Sequence, residues 1–133
     1  MKDNNNTDIE LLTDFAIDVS ESANGLCVLI KHDYYSSDNE NGKALLDNLL
    51  DSLIIASDRV YLIIVTDSAV KLIDTSDKLN QLMNTINTTL VCRESLDFYG
   101  IDIPSFPEDK VHVIPMAEIA EQIIESRPGL IIE

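Results

Sequence analysis

The sequence predicts an α/β sandwich built around a mostly parallel sheet. Short apolar runs such as Leu26–Ile30 and Val60–Val65 form the strands. They alternate with longer segments whose apolar residues recur at helical spacing. The strand runs are continuously apolar rather than alternating, as in strands covered on both faces. The 133 residues suit one domain, and 45% hydrophobic with 25% charged residues describes a globular chain rather than a disordered or fibrous one.

Residues 1–24 read as a polar lead-in. Its one amphipathic stretch, Ile9–Val19, fits either a helix or an edge strand. The domain proper spans residues 25–133. Asn24-Gly25 is a turn signal, and Leu26–Ile30 is the first buried strand. Lys31–Asn41 is a polar loop. A helix is predicted over Gly42–Ser57, with Leu45, Leu46, Leu49, Leu50, Leu53 and Ile54 on one face and Asp47, Asn48, Asp51 and Ser52 on the other.

Val60–Val65 is the second strand, and Asp67–Ile73 is a loop with room for one helical turn. Ser76–Asn87 is the next helix, with Leu79, Leu82, Met83 and Ile86 inward and Thr75 or Ser76 as N-cap. Thr88–Val91 is the third strand and ends at Cys92. A short helix over Glu94–Tyr99 stops at Gly100, and Pro104 and Pro107 punctuate the following loop. Val111–Ile114 is the fourth strand. Met116–Glu125 is the last helix, with Met116, Ile119, Ala120, Ile123 and Ile124 inward. Arg127-Pro128-Gly129 ends it before a final strand, Leu130–Ile132.

Composition excludes several functions. With 24 acidic and 9 basic residues the net charge is −15, which opposes nucleic acid and anionic lipid alike. No apolar run approaches the roughly 18 residues of a membrane span. The polar start, Met1 to Asp8, has neither the basic opening nor the apolar core of a signal peptide, so a cytoplasmic location is expected. Two cysteines, Cys27 and Cys92, make no disulfide framework, and no His/Cys cluster has zinc-ligand spacing.

In a parallel sheet, ligand and catalytic groups collect beyond the carboxyl ends of the strands. The Lys31–Asn41 loop and the Cys92–Ser95 turn share that edge. Cys92, at a strand-to-helix junction, is the candidate nucleophile. The following helix N-terminus and Arg93 would lower its pKa, and Glu94 would oppose them. Cys27, inside an apolar run, reads as core.

Spacing rules out some thiol chemistries. A tyrosine-phosphatase loop needs Arg six positions after the cysteine, where this chain has Phe98. Cys92-Arg93-Glu94-Ser95 matches the C-x-x-S of monothiol glutaredoxins, but too far along the chain for that fold. A Cys–His hydrolase would need His32, at the end of the first strand, or His112, within the fourth. No Gly-rich phosphate cradle is present.

The segment Val91-Cys92-Arg93-Glu94-Ser95-Leu96-Asp97-Phe98-Tyr99-Gly100 resembles V-C-G-T-C-L-D-[FY]-[FY]-G, a motif of the YedF-type branch of DsrE/DsrF-like proteins. Asn41-Gly42-Lys43-Ala44-Leu45-Leu46, Ala69-Val70-Lys71-Leu72 and Pro115-Met116-Ala117-Glu118-Ile119 resemble that branch's L-G-K-x-L-M, G-V-K-L and N-M-Y-E-I in the same order.

The resemblance implies a three-layer α/β/α sandwich with a five-stranded, mostly parallel sheet, and assembly into homo-oligomers. It implies a sulfur relay in which Cys92 carries sulfane sulfur, or selenium, as a persulfide between donor and acceptor proteins, without metal or organic cofactor. Arg93 and Ser95 would stabilise the sulfur anion, with His32 and Lys43 lining the site. The motif's first Gly is Arg93 here and its second cysteine is Ser95, so no dithiol cycle operates at this turn. The branch's N-terminal TusA-like domain does not fit in the first 24 residues. The alternative is an oligomeric binding or scaffold subunit that keeps the fold without the chemistry. A small-molecule pocket at the carboxyl edge is a third reading.

Overall fold

The computed structural model describes residues 21–22, 25–107 and 109–133. The Ile9–Val19 stretch lies outside them. Five parallel strands form the sheet: β2 (Gly25–Ile30), β3 (Val60–Val65), β4 (Thr88–Cys92), β5 (Val111–Ile114) and β6 (Leu130–Ile132), in the order β6-β2-β3-β4-β5. A two-residue strand, β1 (Glu21–Ser22), pairs antiparallel with the first residues of β2, on the same edge that β6 occupies further along.

Ile63 and Ile64 are consecutive, point to opposite faces and are both 0% exposed, so the sheet is covered on both sides. One face carries Val28, Ile30, Ile63, Val65 and Val91. It packs against α1 (Glu40–Ile55), the 3₁₀ turn Asp67–Lys71 with α2 (Leu72–Thr75), α3 (Asp77–Thr85) and α4 (Arg93–Tyr99). The other face carries Cys27, Leu29, Leu62, Ile64, Leu90 and Cys92, and packs against Ile119 and Ile123 of α5 (Met116–Ser126). The architecture is a three-layer α/β/α sandwich, the expected one.

The helices differ from their expected bounds for local reasons. α1 begins at Glu40 because Asn39 caps it, its Oδ1 accepting from Gly42 N–H at 2.9 Å. Its buried row is Leu46, Leu50 and Leu53, and Leu45 turns outward. Ser76 caps α3, its Oγ accepting from Leu79 N–H at 3.1 Å, while Thr75 closes α2. Gly100 ends α4 in the left-handed region at φ 66°. In α5 only Ile119 is fully buried, and Ile124 is 77% exposed. Lying alone among the described helices on its face, α5 has one line of contact, with no second helix against its flanks.

The Lys31–Asn41 loop is held at both ends. Tyr35 N–H donates to Gly42 O at 2.9 Å, and Ser36 N–H to Glu133 O at 3.1 Å. Lys31 pairs with the Glu133 carboxylate at 2.8 Å.

Candidate functional site

Parallel strands deliver every candidate residue to one edge, but the two-residue side-chain period then splits them between layers. Val91 faces α1 and α3, so Cys92 faces α5, where it packs with Leu90, Ile114 and Ile119. Cys92 is 3% exposed. Its Sγ lies 3.7 Å from Glu94 Oε1, a weak S–H donor aimed at a carboxylate. The same Oε1 accepts from Met116 N–H, the first of α5, at 2.9 Å. That backbone bond is the main reason the Glu94 carboxyl is held below its ordinary value, with smaller help from Cys92 and Arg93. Glu94 therefore ties α4 to α5 directly over the thiol.

The expected supports of Cys92 are engaged elsewhere. The Arg93 guanidinium donates to Val113 O of β5 at 2.9 Å. Ser95 is an acceptor rather than a donor to sulfur, its Oγ receiving Asp67 N–H at 2.8 Å. The residue at the sulfur is Glu94, which the sequence cast only as an opposing charge.

His32 and Lys43 lie in the other layer. His32 Nδ1 is 3.4 Å from Ser68 Oγ and 3.6 Å from Asp67 Oδ2, and its ring stacks on Tyr34 with centroids 4.8 Å apart. Both partners approach one ring nitrogen, whereas a Ser–His–Asp relay needs both nitrogens. Asp67 anchors this cluster. It sits at φ 53°, a left-handed conformation unusual for a side-chain-bearing residue, held by Ser95 at its N–H and by the Tyr99 hydroxyl, which donates to Oδ1 at 3.1 Å. Partial burial and the Asp67 carboxylate push the Tyr99 phenol up, keeping it a neutral donor. Asp67 and Ser68 open the 3₁₀ turn while Tyr99 ends α4, and no local signal in the sequence joins the two elements.

Lys43, in the first turn of α1, lines a groove of about 500 Å³ between α1 and the α2–α3 segment, together with Asp33, Leu46, Leu50, Lys71 and Leu72. Lys71 Nζ is 3.4 Å from Asp33 Oδ2 and lies over the Tyr99 ring at 5.2 Å. Lys78 donates to Asp47 and Asp51 across the groove wall, and those bonds raise its pKa.

Cys27 is 1% exposed, and burial pushes its thiol up to about 11, which makes it inert core. Cys27 pairs with Leu62, and Leu62 with Thr88, so it lies two strands away from Cys92 and is offset from it along β4. At ~3.3 Å per residue and ~4.8 Å per strand that separation far exceeds the reach of a disulfide. Among the described residues, no group of three or more His, Cys, Asp or Glu side chains is placed to hold a metal ion. No described helix is long and apolar enough to cross a membrane.

No family model and no curated protein matches the chain. A solved structure of a protein of unknown function, MTH1491 from Methanobacterium thermoautotrophicum, is similar over 75% of this chain and 91% of its own, with 19% identity and a TM-score of 0.46.

Proposed function

We propose that this chain is a single-cysteine carrier of sulfane sulfur, with Cys92 as the accepting atom. The supporting observation is a free thiol at the carboxyl end of β4, in the seam between α4 and α5, with its S–H directed at an ionised carboxylate. The Cys92 proton passes to solvent. The thiolate attacks the outer sulfur of a donor persulfide, a new S–S bond forms at Cys92, and the donor S–S bond breaks to release the donor thiolate. An acceptor thiolate later repeats the attack on the Cys92 persulfide. Neither step changes the total oxidation state, so neither needs a cofactor. Arg93 and Ser95 hold the turn in shape rather than touch the sulfur. Donor and acceptor proteins, and assembly into a homo-oligomer, belong to this reading.

The 3% exposure of Cys92 favours a second reading, a binding or scaffold subunit without sulfur chemistry. Transfer requires the seam between α4 and α5, which the Glu94–Met116 bond spans, to open around the thiol. The two readings separate when the protein is incubated with a cysteine desulfurase and cysteine and its intact mass is measured. Gain of one sulfur atom by the wild type but not by Cys92→Ser supports the carrier. No gain, while a known acceptor protein is loaded in the same vessel, overturns it. Iodoacetamide separates the two independently: a carrier thiol reacts in the folded protein, whereas a scaffold thiol reacts only after unfolding.

A further inference from the structure

We infer that the groove between α1 and the α2–α3 segment binds a small zwitterionic ligand of the α-amino-acid type with an apolar side chain. The groove of about 500 Å³ falls within the usual range for a small-molecule site. Leu46, Leu50 and Leu72 lie at its floor, nearly covered at 1%, 1% and 9% exposure. Its charges balance locally, with three lysines and three aspartates lining it, although the chain as a whole is strongly acidic. A simple anion gains little there, and a zwitterion can satisfy both signs.

Three of those charges have capacity left, the exposed Asp77 among them. The Asp33 side chain is sunk to 16% exposure, yet its carboxylate meets a single cation, Lys71, at 3.4 Å, and Lys71 is also drawn to the Tyr99 ring. A carboxylate can accept about four hydrogen bonds. Lys43, at the same groove, has no side-chain partner among the described residues. Lys78 is already held by Asp47 and Asp51. An ammonium group meets Asp33, a carboxylate meets Lys43, and the side chain lies over Leu72. This site is in the layer away from Cys92 and does not depend on the carrier reading.

The test titrates ¹⁵N-labelled full-length protein with L-leucine, L-leucinamide and N-acetyl-L-leucine up to about 10 mM, a range that detects millimolar affinity. L-leucine is expected to shift the amides of residues 42–50 and 71–78 in a saturable way. The amide, lacking the carboxylate, and the acetylated form, lacking the ammonium, should each bind about tenfold more weakly. Lys43→Gln should bring leucine down to the leucinamide level without moving the rest of the spectrum. No saturable shift with leucine overturns the inference, as does equal binding of all three ligands.

Discussion

Replacing Gly42 by alanine tests how the carboxyl-edge loop is held. A Cβ built at Gly42 would lie 1.7 Å from Ser37 O, 2.7 Å from Ser37 C and 3.0 Å from Tyr35 O. Ordinary contact begins at 3.4 Å, so the loop would have to retreat by roughly half that distance. All three obstructing atoms are backbone, and no rotamer change removes them. Retreat breaks the Tyr35 N–H to Gly42 O bond and disturbs the Asn39 cap. Each loss costs about 1 kcal/mol. Overpacking adds about 1–3 kcal/mol, and the better helix propensity of alanine returns about 1 kcal/mol. The net expectation is a loss of about 2–4 kcal/mol. With a urea dependence of about 2 kcal/mol per molar, the unfolding midpoint falls by about 1–2 M. A midpoint within about 0.3 M of wild type, at unchanged slope, would refute the reasoning, because it would mean the loop gives way freely.

Ile119→Ala should cost about 2–5 kcal/mol in urea unfolding, because Ile119 is the fully buried residue of α5. It should also speed alkylation of Cys92, and a loss below about 1 kcal/mol would mean that α5 is not the cover described. Glu94 has a lowered folded pKa, so its contribution to stability is full above the ordinary value of 4.5 and is lost as pH falls through the lower folded value. Glu94→Gln should therefore lower the urea midpoint at neutral pH, and the gap to wild type should close as the pH falls below the folded value. Because Glu94 is exposed, added salt should shrink the effect. A gap that persists unchanged in acid rules out this role.

Much of the layer plan was legible along the chain, because continuous apolar runs leave a strand no solvent face and helical spacing leaves a helix only one buried side. The same rules misjudged how far α5 is buried. Periodicity reports which residues are apolar, whereas burial of Ile124 depends on whether a second helix lies beside it, and none of the described helices does. The αL stop at Gly100 was readable because glycine tolerates positive φ at little cost. The positive φ of Asp67 was not, because it depends on Ser95 and Tyr99, which come from another element.

The order of strands and helices, the acidic surface, and the arrival of Cys92 at the carboxyl edge of the sheet can be read along the chain. All of these follow from local hydrophobic patterning and charge. Tertiary structure alone decided which layer each edge residue enters. Side chains alternate along a strand, so one step from Val91 to Cys92 carries the thiol beneath α5, away from the layer that holds His32, Asp33 and Lys43. It also decided that Glu94, rather than Arg93 or Ser95, meets the sulfur, because the start of α5 captures the Glu94 carboxylate just beside it.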